Sequence, residues 1–203
     1  MNPYTHKTVP LLVIISGPSG VGKDSVILRI EELGHPIHFT ITATSRPKRP
    51  HEVHGKDYFF MTKDEFETMI SEDALLEHAL VYGDYKGVPK AQIRTALSSG
   101  KDAVMRVDVQ GAKTLRKIVP EAVFIYLSAE SESALIERLR ERKTDSESQI
   151  ALRMATARHE HEQLAIFDYL VINRHGHLDE TCKKIIAIME SEKYRIPQKV
   201  IKI

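Results

Sequence analysis

The run GPSGVGKDSV, residues 17–26, carries the spacing G-x-x-x-x-G-K in Gly17, Gly22 and Lys23. A loop of this kind holds phosphate. Backbone N–H groups of the glycine-rich turn and of the following helix surround the oxygens, and the lysine adds a full charge. Pro18, Ser19, Gly20, Val21 and Ser25 complete the candidate ATP-phosphate site. The residue after the lysine breaks the pattern: where a Ser or Thr hydroxyl ordinarily meets Mg²⁺ stands Asp24. Its carboxylate becomes the candidate metal ligand, direct or through a water.

Phosphoryl transfer depends on positive charge placed around the moving group. Arg46 and Arg49 lie three apart in SRPKRP, a loop punctuated by prolines, and form a rigid fork for an anion. Arg138 and Arg142 share a helix face at i+4, with Arg153 further along. Glu137, Glu141 and Glu147 interleave with them, so on spacing alone a solvated, ion-paired helix is an equal reading. Glu77 closes EDALLE just before a glycine-rich segment. A carboxylate offers two acceptors that match the adjacent N1–H and N2–H₂ donors of guanine and do not match adenine; a surface Glu ending a helix is the competing reading.

The elements that must position these groups follow from the apolar pattern. LLVIIS (11–16), AVMRVD (103–108), AVFIYL (122–127) and YLVIN (169–173) read as buried parallel strands, and IHFTITA (37–43) as a strand nearer an edge. Helical patterns fall at 23–33, 90–99, 111–118 and 178–194, two of them stopped by Gly100 and Pro120. This alternation predicts a doubly wound α/β core with a parallel five-stranded sheet, built from residues 1–43, 93–130 and 161–203. Two stretches depart from it: 44–92, a small excursion with strands of its own and a helix at 63–71, and 131–160, a charged helical hairpin. In a kinase such excursions are the parts that close. The tail RIPQKVIKI carries no readable signal.

The chain has 203 residues, of which 28% are charged, at a net charge of +1. That balance argues against sequence-independent nucleic-acid binding, which needs a basic excess. No run approaches a membrane span and MNPYTHKTVP lacks a signal-peptide pattern, so the expectation is a soluble, cytoplasmic protein, monomer or homodimer. The lone Cys182 reads as a small helix residue facing Ile185 and Ile186. The histidines of RHEHE (158–162) are two apart and do not make the H-E-x-x-H zinc geometry.

Six blocks in one order, GPSGVGK, SRPKRPHEVHGKDY, LLEHALVYGDYKGVPK, DVQG, RLRERKTDSE and DYLVIN, resemble guanylate kinase over about residues 11–190. The wording is closest to the organelle-type enzymes of plants and similar bacterial proteins. The resemblance implies a nucleoside-monophosphate-kinase fold with a GMP-binding subdomain (44–92) and a lid (131–160), and the reaction ATP + GMP = ADP + GDP with Mg²⁺. It implies that Arg46, Arg49 and Tyr58 hold the GMP phosphate and that Thr42, Glu77 and Asp108 hold guanine. Arg138, Arg142 and Arg153 would close over the ATP phosphates, with Asn173 near adenine. With Lys23 and Arg49, these three arginines form the catalytic set.

Several positions depart from the family's common pattern. Lys86 replaces a Tyr beside the phosphate, Val88 a Ser or Thr that helps read guanine, Lys143 a lid Gly, and Arg106 the first Asp of a DIDVQG-type run. The strand ending in RVDVQG lies beside the P-loop helix in such a fold, so Asp24 and Arg106 are expected to approach each other. Two other readings stay open: a kinase of a phosphorylated sugar of the ribose bisphosphate type, whose P-loop looks like GPSGxGKDS, and a non-catalytic guanylate-kinase-like module that binds a protein partner.

Overall fold

The computed structural model describes residues 8–81, 83–141 and 146–203. The first strand, β1 (Leu12–Ser16), is buried along its whole length. Val13 and Ile15 point to one face of the sheet, toward Val26, Ile27, Cys182 and Ile185. Leu12 and Ile14 point to the other, toward Ile93, Ala96, Ala112 and Leu115. Both faces are therefore covered by helices, which is why the strand is continuously apolar rather than alternating. Each such side chain contributes roughly 1.5–3 kcal/mol on burial.

Around β1 run β2 (Ile37–Phe39), β7 (Asp102–Arg106), β8 (Val123–Ser128) and β9 (Tyr169–Ile172), all parallel, in the order β2-β7-β1-β8-β9. The strand expected nearer an edge, β2, is an edge strand, and only its first three residues join this sheet. Helices α1 (Lys23–Glu32) and α7 (Leu178–Lys193) cover one face; α3 (Lys90–Ser98) and α4 (Val109–Ile118) cover the other. The P-loop leaves the C-terminal end of the central strand, where open α/β sheets bind their ligands.

Residues 43–89 hold a second, four-stranded sheet, ordered β4 (Phe59–Phe60), β3 (Ala43–Thr44), β6 (Asp84–Pro89) and β5 (Leu75–Val81). It has its own small core of Ala43, Phe66 and Leu75. Phe66 comes from α2 (Lys63–Ser71), whose start is fixed by a reciprocal cap between Thr62 and Glu65. Glu77 lies inside β5, opposite Val88 of β6, not at a helix end.

The charged hairpin is α5 (Glu132–Glu141) and α6 (Glu147–His161). It is not solvated all round: Leu135, Leu139, Ile150 and Met154 pack into the main core. Arg158 of α6 grips Glu132 of α5 through two hydrogen bonds of 2.9 and 2.8 Å. The tail, unreadable in sequence, is strapped down by Lys199 on the buried Glu192 at 3.1 Å, with Ile201 and Ile203 packed against the core.

Candidate active site

The P-loop conformation depends on its glycines. A Cβ on Gly17 would stand 2.1 Å from the Leu127 carbonyl oxygen, because the loop leaves β1 hard against β8. Gly22 sits at φ 96° and opens α1, with Asn173 Nδ2 where a side chain would be. Lys23 then begins the helix. Its ammonium donates to the carbonyls of Gly17 (2.5 Å) and Pro18 (3.0 Å), and burial pushes it down to about 8.

The P-loop walls a cavity of about 850 Å³, together with Asp24, Ser25, Arg106, Arg138 and Asn173. Arg138 donates to Glu130 (2.8 Å), to the Asn173 carbonyl (2.6 Å) and to the Val21 carbonyl (3.3 Å). Arg153 donates to the Ser19 hydroxyl at 2.6 Å. Arg138 and Arg153 thus both reach the P-loop; Arg142 and Lys143 lie outside the described residues. Asn173 lines the cavity, yet its amide is engaged internally: Nδ2 donates to the Val21 carbonyl at 2.8 Å and Oδ1 accepts from Thr181 at 3.0 Å. It braces the loop from behind.

A second cavity of about 440 Å³ lies between the two sheets. Its walls include Thr42, Tyr58, Glu77, Lys86, Val88 and Asp108, candidates drawn from five separate elements and loops of the sequence. Burial, then the neighbouring Asp108, raises the Glu77 carboxyl to about 7. Asp108 also caps α4, accepting from the Gly111 N–H at 2.7 Å. Val88 is buried directly across from Glu77 and brings only methyl groups to this wall.

Arg46 and Arg49 do not line this cavity. Arg46 lies over the Tyr58 ring, 4.9 Å from its centroid, and so stands behind the wall. Glu52 organises the pair. Its two oxygens accept from Arg46 at 2.7 and 2.5 Å, and one also accepts from the Arg49 backbone N–H at 2.8 Å. The Arg46 guanidinium holds the Glu52 carboxyl down near 2. Sequence reading missed Glu52, because nothing in RPKRPHE marks a carboxylate that folds back on the fork. It also missed Glu160, whose charge acts on Lys23.

Lys23, Tyr58 and Arg106 wall both cavities. The expected approach of Asp24 and Arg106 is present: the guanidinium forms an ion pair with the Asp24 carboxylate. The side chain of Asp24 is 73% exposed, so it remains open to the P-loop cavity. Among the described residues no group of three or more His, Cys, Asp or Glu is arranged to hold a metal, and no helix is long and apolar enough to cross a membrane.

Comparison with known proteins gives one consistent result. The family model described as guanylate kinase matches residues 10–192. The chain is 52% identical to guanylate kinase 2, chloroplastic/mitochondrial, of Oryza sativa subsp. japonica over 99% of this chain and 71% of that protein. It is 38% identical to guanylate kinase of Carboxydothermus hydrogenoformans over 94% and 92% of the two chains. The crystal structure of guanylate kinase from Anaplasma phagocytophilum superposes with a TM-score of 0.73 at 27% identity, covering 96% of this chain and 92% of that one. With the family's match spanning both cavities and the hairpin, the chain belongs to the guanylate kinase family, whose members phosphorylate GMP with ATP.

Proposed function

We propose that the two adjoining cavities divide the reaction ATP + GMP = ADP + GDP between them, ATP phosphates on the P-loop and GMP in the cavity walled by Glu77. The carrying observation is the pair Glu77 and Asp108, two carboxylates in the wall of one cavity, near enough for the Asp108 charge to act on the buried Glu77. Guanine presents two adjacent N–H donors on one planar edge, which match the two oxygens of a carboxylate; the separate hydroxyls of a phosphorylated sugar do not form such an edge. Thr42 stands on the base side of the cavity, while Tyr58 and Lys86 receive the GMP phosphate. Arg46 and Arg49, held by Glu52, reach that phosphate when the 44–92 subdomain closes.

Lys23, Arg138, Arg142 and Arg153 supply the positive charge that the transferring group needs. An oxygen of the GMP phosphate uses a lone pair to form the new bond to the γ-phosphorus. The electron pair of the broken bond stays on the bridging oxygen that leaves with ADP, and no proton has to move. A general base is not needed, since the attacking oxygen is already anionic. Mg²⁺ takes one or two carboxylates beside substrate phosphates and its own waters, so the single exposed carboxylate of Asp24 suits it. Bound there, it would supply positive charge that offsets the charge of the ATP phosphates.

The hairpin 131–160 acts as a lid and 44–92 as the GMP subdomain, closing on the core to exclude water. We also propose a cytoplasmic location; fractionation against an organelle marker tests it. The test of function is a coupled assay offering ATP with GMP, dGMP, AMP or ribose bisphosphate. GMP-dependent ADP formation is expected, and turnover with ribose bisphosphate instead overturns the reading. Hydrogen exchange with GMP and a non-hydrolysable ATP analogue is expected to show new protection in both closing segments.

A further inference from the structure

Arg106 ends β7, and its strand partner across the sheet is Ile15, two residues before Gly17. That register plants a guanidinium on the rigid core at the mouth of the P-loop, whereas Arg138 and Arg153 arrive on the hairpin. The side chain is 28% exposed, and its Cζ lies 5.7 Å from the centroid of the Phe39 ring. It faces both cavities, and its charge is felt at the Lys23 ammonium. A phosphoryl group passing from one cavity to the other therefore moves beside it.

Asp24 holds this guanidinium in an ion pair. The same carboxylate is the group offered to the metal that accompanies ATP. A divalent cation attracts it more strongly than a monovalent one does at equal distance, and the two cations repel each other. Occupation of Asp24 by metal and release of Arg106 are then one event. Resting on the reaction as read above, we propose that Arg106 is a further catalytic residue, parked on Asp24 until the metal–nucleotide complex takes that carboxylate and then contacting the oxygens of the transferring phosphoryl group. Bonds form and break as already described; Arg106 balances charge and exchanges no proton.

The test has a binding arm and a kinetic arm. ATP affinity is measured by calorimetry in EDTA and in Mg²⁺ for the wild-type chain, Asp24→Asn, Arg106→Met and the double variant. In EDTA, Asp24→Asn frees the guanidinium and tightens ATP. In the Arg106→Met background that gain is expected to shrink by roughly fivefold or more, the scale of coupling between residues in contact. An equal gain in both backgrounds shows that Asp24 merely adds a negative charge at the start of α1, and overturns the proposal.

In the kinetic arm Arg106→Met is expected to lower kcat on the order of 10²–10³-fold with KM values little changed, as for loss of one transition-state donor. Arg106→Lys is expected to restore part of the loss, because it keeps the charge and loses the fork. Full kcat in a cooperatively melting Arg106→Met enzyme also overturns it. If that variant does not fold, Arg106→Gln and Arg106→Lys carry the same comparison. Failure of the underlying reading looks different: the wild-type chain then shows no GMP-dependent ADP formation, while the EDTA binding cycle still reports whether Asp24 restrains Arg106.

Discussion

The two cavities differ in how their charges are held. On the P-loop side four cations are engaged within the protein: Lys23 by its own loop carbonyls, Arg138 by Glu130 and two carbonyls, Arg153 by Ser19, Arg106 by Asp24. In the other cavity Glu77 has no cation paired with it among the described residues, and burial together with Asp108 raises its pKa. One side holds charge in contacts that a phosphate must displace. The other holds acceptors whose demand only a matching donor edge can meet. On the function proposed above, affinity on the first side is moderated by those exchanged contacts, whereas selectivity on the second comes from acceptors that only a matching donor edge satisfies.

The largest effect expected from this contrast is at Lys23. Lys23→Ala removes a full charge from the P-loop and is expected to lower kcat by at least about 10³-fold, while leaving a cooperative melt, since the ammonium bonds loop carbonyls rather than core side chains. Steady-state kinetics with thermal unfolding checks both halves; near-normal kcat breaks the assignment of the P-loop cavity to ATP.

Glu77 comes next. Glu77→Gln replaces two acceptors by one acceptor and one donor, and is expected to reduce kcat/KM for GMP on the order of a hundredfold, at 1.5–3 kcal/mol or so for a hydrogen bond to a charged group. The pH dependence has a defined sign. The folded carboxyl has its pKa raised from 4.5 to about 7, so ionising it weakens the free protein progressively as pH rises across that window. Pairing of Glu77 with guanine as proposed needs the ionised form, so the affinity for guanosine is expected to climb as pH rises toward about 7 and then level off. Guanosine is the ligand to use, because the phosphate of GMP titrates in the same range. A flat profile, or one that persists in Glu77→Gln, breaks the contrast between the cavities.

Much of this arrangement was legible in sequence, for reasons that differ by residue. The core strands were readable because a strand buried on both faces is apolar throughout, and α3 because Gly100 stops it at φ 79°. Arg106 beside Asp24 was readable because parallel neighbours place the end of β7 next to the end of β1. Glu77 was placed on the wrong kind of element as a competing reading, since EDALLE is made of good helix formers. Pairing with β6 overrides that propensity. Asn173, expected near adenine, lines the P-loop cavity, and its amide faces Val21 and Thr181. Glu52 and the tail strap had no signal at all, because both arise from contacts between loops that have no period.

Glu52 gives a smaller, sharpening test. Glu52→Gln leaves Arg46 without its carboxylate partner and is expected to raise KM for GMP about tenfold with kcat less affected, because the fork is present but no longer aimed. Titration of initial rates against GMP measures it. A change confined to ATP would move the fork to the other cavity.

The smallest effect tests whether the acceptor cavity reads more than the edge facing Glu77. Val88 is 2% exposed and stands opposite Glu77 in the β5–β6 pair, so its methyl groups occupy the wall where a hydroxyl would meet the base. Val88→Thr is nearly isosteric and brings one donor and two acceptor lone pairs to that wall. A hydrogen bond gained there is worth about 0.5–1.5 kcal/mol, so preference for GMP over AMP in kcat/KM is expected to rise by tenfold or less. The cost appears in the free enzyme, where a buried hydroxyl without a partner lowers stability by about 1–3 kcal/mol. Wild-type and Val88→Thr enzymes compared on both nucleotides, with melting temperatures taken with and without GMP, separate the two terms. A lower melting temperature that GMP restores more fully in Val88→Thr places the hydroxyl against the base. Equal restoration in both enzymes, with unchanged selectivity, shows that the cavity distinguishes guanine through Glu77, Asp108 and Thr42 without help from this wall.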